Sequence, residues 1–261
     1  MTYFFELTRA TWLIFTMQLG TISRSRRTLV GLVLAAIPPL LGFLVARLAS
    51  GDVTGAKAFA TLGTMLLVGF IVPMLGVALG VGAIADEAEA RTITYPFTRP
   101  IPRASLFLGR WLATVVVILI LVGSSGIGLF AMTGTIPDAM EFAMAAPLLG
   151  AALIGGIIYS LGAAVIGVVF KRGLIYALGY AFAMEVLLAN IPGSSQRVTV
   201  QYHLRSIFVD KEVDAWARVG MTSLTTFLPP AEALTKMLIV VVLLVVFGAW
   251  RVTRKQFVLA A

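Results

Sequence analysis

Apolar residues along this chain gather into six long runs separated by short polar breaks. The runs predict helices over Leu29 to Ala46, Phe59 to Ala85, Trp111 to Met132, Ala143 to Phe170, Leu174 to Ile191 and Leu234 to Trp250. A helix of about 20 apolar residues crosses a hydrocarbon core of about 30 Å, and its backbone hydrogen bonds are satisfied internally there. The second and fourth runs exceed that minimum, which permits tilt or extension beyond the bilayer. Pro73 with Gly76, Gly80 and Gly82 predicts that the second helix bends or lets a neighbour come close. Only Lys171, Arg172 and Gly173 part the fourth run from the fifth, and a tight turn there is expected in place of one helix of about 49 residues.

Two segments outside the runs also carry a pattern. In residues 1–27, Phe5, Trp12, Phe15, Leu19 and Ile22 recur near helical spacing, with Glu6, Arg9, Thr16, Ser23 and Arg27 on a neighbouring face. This predicts an amphipathic helix lying in the membrane interface, anchored by Trp12 and by Arg24, Arg26 and Arg27. A cleavable signal is not expected, because Glu6 and Arg9 interrupt the apolar stretch and the basic cluster follows it. The connector 192–233, expected to face outside, is long enough to hold structure of its own. Leu204, Ile207 and Phe208, then Val213, Trp216 and Val219, fit the apolar faces of short helices that cap the bundle or dip into it.

Composition agrees with the pattern. Apolar residues make up 59% of 261 and charged residues 12%, against about 25% charged in a soluble domain. With a mean hydropathy of +0.99, the expected fold is all-α: a six-helix polytopic membrane protein over 28–250, with a tail at 251–261. Cysteine is absent and histidine occurs once, as His203, which excludes disulfides, thiolate metal sites and histidine clusters.

The net charge of +8 is a topology signal. Arg9, Arg24, Arg26 and Arg27 precede the first run, and Arg91, Arg99, Arg103 and Arg110 lie between the second and third. Lys171 and Arg172 sit in the turn, and Arg251, Arg254 and Lys255 in the tail. The positive-inside rule puts all four clusters, and hence both termini, on the cytoplasmic side. No basic stripe interleaved with aromatics points to nucleic acid.

Candidate chemistry is sparse. Gly123, Ser124, Ser125 and Gly126 spell the motif of intramembrane serine proteases, but that chemistry needs a histidine on a facing helix and His203 lies in the connector. Asp86, Glu87 and Glu89 have no histidine partner and stand beside Arg91, as a solvated charged helix end does. Glu185, about 11 residues or about 17 Å into the fifth run, is a candidate intramembrane polar site. Its expected structural partners are backbone groups, Arg197 or Arg205. No GxxxxGK[ST] cradle for phosphate exists, so ATP, if used, is bound by another chain.

The stretch 82–110 holds three carboxylates, four arginines and three prolines between two membrane runs. Phe97, Ile101 and Pro102 offer a rigid apolar knob, and Arg99 and Arg103 offer pairing to acidic groups around a groove. The order Asp86, Glu87, Glu89, Arg91, Thr92, then Arg99, Pro100, Ile101, Pro102, Arg103, then Leu108, Gly109, Arg110 resembles the elbow of type-2 ABC permeases. Six helices, an amphipathic N-terminal helix and a large connector before the last span extend the resemblance over nearly the whole chain. Arg91 stands where that family commonly has glycine, Pro102 where serine is usual and Arg110 where lysine is usual.

The resemblance implies a transport subunit with no catalytic or metal site and no cofactor of its own. In that family the elbow, here Asp86 to Arg110, docks on a separate ATP-binding subunit, which holds ATP and Mg. Two permeases pair, as a homodimer or with a sibling, and ATP-driven closure changes which side of the path is open. The subgroup it is most similar to includes exporters and the permease serving nitrous oxide reductase maturation, which implies a bacterial plasma membrane location. Two other classes remain. A gradient-driven secondary transporter would show repeats and midplane ionisable groups, of which only Glu185 is present. A membrane-embedded enzyme would have only Glu185 and the hydroxyls of Thr114, Ser124, Ser125 and Ser160.

Overall fold

The computed structural model describes residues 2–48, 53–83, 102–190, 194–209 and 227–254. Within them the regular structure is helical: α1 (Thr2–Ser23), α2 (Arg26–Leu48), α3 (Gly55–Gly80), α4 (Arg103–Thr133), α5 (Phe142–Val169), α6 (beginning at Gly173–Tyr180), α7 (Val200–Phe208) and α8 (Pro230–Arg254). Five of these, α2, α3, α4, α5 and α8, are long and apolar enough to cross a membrane. The chain is therefore a multi-pass membrane protein.

The expected fifth span differs from a regular helix. It is α-helical over Gly173–Tyr180, widens to a π-helix over Ala181–Leu187 and tightens to a 3₁₀ turn over Leu188–Asn190. The break before it is where the charges predict it, because Phe170 is extended and the helix restarts at Gly173.

The centre of the bundle is α3 against α5, with α4 alongside. Phe59, Leu67, Ile71, Leu75, Ile118, Leu129 and Leu148 are buried in one continuous core. Gly76 and Gly80 bring α3 onto the α5 backbone. A methyl group at Gly80 would stand 2.5 Å from the Ser160 carbonyl oxygen, and one at Gly76 would overlap Tyr159. Of the two readings of this glycine series, close approach is what the structure contains. The second consequence, a departure from α-geometry, occurs just before Pro73. Residues Leu62–Ile71 form a π-helix, and the Val72 amide reaches back five residues to the Leu67 carbonyl. Proline has no amide to donate and its ring crowds the carbonyl four residues earlier, so wider turns precede it.

The outer helices are α2 and α8, which show exposed rows such as Leu29, Leu32, Val33 and Leu40, and Leu238, Leu243 and Val246. Such rows face lipid or another membrane helix. Trp250 and Arg254 make a cation–π contact at 4.8 Å near the end of α8, as at a membrane interface.

α1 departs from its expected arrangement. Its inward stripe is Leu7, Thr11, Ile14, Gln18 and Ile22, and it meets α4 at Gly109, where a methyl group would stand 2.7 Å from the Thr11 carbonyl oxygen. Trp12, expected to share a face with Ile22, is 65% exposed beside Leu13 and Met17. Apolar residues on both sides let one face bind α4 while the other is free for lipid.

Candidate functional site

The elbow begins where α3 ends and finishes where α4 starts. Asp86, Glu87, Glu89, Arg91, Phe97, Arg99, Pro100 and Ile101 lie outside the described residues. Pro102 and Arg103 lie within them and form the entry to α4. Pro102 has φ −56° and ψ 120°, off the helix, and its carbonyl accepts both the Ser105 amide at 2.9 Å and the Ser105 hydroxyl at 2.6 Å. Arg103 is exposed at the first helical position. Arg110, two turns later, is 6% exposed. It lines a cavity of about 140 Å³ with Gln18, Ser25 and Arg27 at the end of α3. The sequence assigned Arg110 to the solvated elbow, whereas α1 and α3 enclose it.

The second predicted position, Glu185, is 1% exposed inside the π-helical part of α6. Four donors converge on its carboxylate. Oε2 accepts the Tyr159 hydroxyl at 2.8 Å and the Gln201 amide at 3.0 Å. Oε1 accepts the Val200 amide at 3.1 Å and the Tyr180 hydroxyl at 3.5 Å. Val200 and Gln201 are the first two residues of α7, whose amides have no intrahelical partner. Glu185 thus caps α7 from another element, with its oxygens set at the amide end of the helix.

The next amide is capped locally. Thr199, extended at φ −85° and ψ 147°, accepts the Tyr202 amide on its hydroxyl at 3.2 Å. Two caps, one in sequence and one in space, therefore fix the start of α7. Its buried face carries Gln201, Leu204 and Phe208. The Gln201 side-chain amide donates to the Val68 carbonyl at 2.6 Å, within the π-helical stretch of α3. Both wide-turn stretches thus bond to α7.

Of the expected partners of Glu185, the backbone reading holds, through α7. Arg197 is exposed. Arg205 is buried and donates to the Ala189 carbonyl at 3.5 Å. Burial lowers its guanidinium pKa, and the nearby Glu185 carboxylate acts the other way. Leu204 and Phe208 are buried as expected, so α7 dips into the bundle, while Val213, Trp216 and Val219 lie outside the described residues. The serine motif in α4 forms no catalytic pair among the described contacts: the Ser124 hydroxyl bonds the Leu121 carbonyl and Ser125 is buried.

Tyr159, Tyr180, Val200 and Gln201 escaped the sequence reading. Thr199 directly before a helical apolar pattern was a readable cap. The pairing of α5 with α6 that brings Tyr159 to Glu185 left no local signal.

Comparison with known proteins extends this picture. No curated protein matches the chain. The model of the family described as ABC-2 family transporter protein matches residues 12–257. That match includes the elbow, every membrane helix and the Glu185 cluster, and the chain belongs to the ABC-2 family of transporter membrane proteins.

Proposed function

We propose that this chain is the permease subunit of an ATP-driven exporter in a bacterial plasma membrane. The observation that carries the reading is the family match over residues 12–257, joined to the proline and arginine elbow between α3 and α4. In this proposal Gly173–Asn190 is the fifth of six crossings and both termini are cytoplasmic. Asp86, Glu87, Glu89, Arg91, Phe97, Arg99, Pro100, Ile101, Pro102 and Arg103 form the surface gripped by a separate ATP-binding subunit. That subunit supplies ATP and Mg, and two permeases enclose the path.

Glu185 has a structural part in this scheme. α7 dips into the bundle beside Val68 of α3 and Gly155 of α5, and its caps hold it there. The carboxylate keeps α7 in place while the elbows move, and it does not itself carry substrate.

The reading is tested by phosphate release from detergent-purified protein. The permease alone is expected at background, and addition of its ATP-binding subunit is expected to restore hydrolysis. Robust hydrolysis by a preparation that mass spectrometry shows to lack any ATPase contradicts the proposal.

A further inference from the structure

α6 and α8 both rest on α5 and leave a crevice between them. Its deeper part is a cavity of about 280 Å³, lined by Gly162 and Ile166 of α5, Ala177 and Tyr180 of α6, and Val240 and Leu244 of α8. A second cavity of about 150 Å³ continues it toward α7 and shares Ile158, Tyr180, Val200 and Val240 with the first. Thr199, His203 and Lys236 line that mouth. The crevice is apolar in its depth and polar only at one end.

Three observations define the occupant. Tyr180, on α6, and Val240, on α8, line the crevice and are themselves exposed, so it opens at the lipid-facing surface. A helix about 10 Å across and 20 Å long displaces roughly 1,600 Å³, far more than this space offers. Water needs two to four polar partners, which the deep lining does not provide. An acyl chain meets all three conditions.

The mouth suits a phosphate. The Lys236 ammonium bonds Glu232 at 2.7 Å and is half exposed. An ammonium has three donors, so Lys236 can hold Glu232 and a phosphate oxygen together. We propose that this crevice binds one acyl chain of a membrane phospholipid drawn from the leaflet on the α7 side, with its phosphate at Lys236. The site does not depend on the elbow or on ATP.

Gly162 gives a clean test, because a methyl group there meets nothing within 4 Å. The permease is reconstituted in nanodiscs with a phospholipid bearing a diazirine at the end of one chain, irradiated and mapped by peptide mass spectrometry. Adducts are expected in 158–166 of α5 and 240–244 of α8. Gly162→Leu, which fills the crevice, is expected to lower them at least tenfold, as is Val240→Trp at the rim. Gly179→Leu on α6, also in open space, keeps wild-type labelling. Lys236→Gln is expected to lower labelling severalfold with the phospholipid probe and to leave labelling by a diacylglycerol probe unchanged.

Labelling spread evenly over α2 and α8 and undiminished by both blocking variants overturns the proposal. Loss of both probes equally in Lys236→Gln, or loss of neither, overturns the phosphate placement and the proposal with it. A benzophenone side chain at 162 that captures a second copy of the chain instead of lipid also overturns it. Elution profile and thermal midpoint identify a misfolded variant, and the rim variant then decides.

Discussion

A carboxylate buried in a membrane protein is costly unless donors surround it. Glu185 has two hydroxyls and two helix amides, and each carboxylate oxygen takes two of them. Glutamine keeps the shape but removes the charge and turns one acceptor into an NH₂ facing those donors. Glu185→Gln is therefore expected to cost about 1–3 kcal/mol. A lower thermal midpoint and faster hydrogen exchange at Val200 and Gln201 would report it, with assembly and ATPase kept. An unchanged midpoint with impaired transport would instead give Glu185 a role in translocation. Gly80→Ala tests the α3–α5 contact. Its new methyl would strike the Ser160 backbone, which cannot turn away as a side chain can, so a loss of about 1–3 kcal/mol is expected. Thermal aggregation in detergent measures it, and Gly162→Ala, in open space, is the matched control. At this scale the sequence showed that Glu185 was unusual and that Gly76 and Gly80 were poised for contact. It did not show that Tyr159 meets Glu185, because that depends on how two helices pack.

Helix existence was largely readable, since an apolar run long enough to span a bilayer has few other stable forms. The ends of α2, α4, α5 and α8 fall within a few residues of expectation except at the start of α4. There the helix begins at Arg103, eight residues before Trp111, because arginine and serine are good enough helix residues once Pro102 has fixed the entry. Pitch was not readable. The run containing Glu185 looks uniform, yet it changes from α to π to 3₁₀ where the carboxylate must meet α7. The face of α1 was half readable. Glu6, Arg9, Thr16 and Ser23 are exposed as expected, but apolar residues on both sides cannot say which side binds protein. Gly109 on α4 decided it.

For the whole molecule, the exposed apolar rows of α2 and α8 leave ample surface for lipid and for a second permease. Cysteine crosslinking in native membranes, in a chain with no native cysteine to interfere, is expected to trap a permease pair. An active complex with only one permease would count against pairing. In the proposed function a separate ATP-binding subunit takes hold of the elbow. Reversing Arg99 and Arg103 to glutamate strikes at that grip, since breaking close charge pairs across an interface costs about 2–5 kcal/mol. Copurification of the ATP-binding subunit with the double variant should fall at least tenfold, while the permease keeps its wild-type elution profile and thermal midpoint. Recovery of that subunit at wild-type yield would mean that it docks elsewhere than on the elbow.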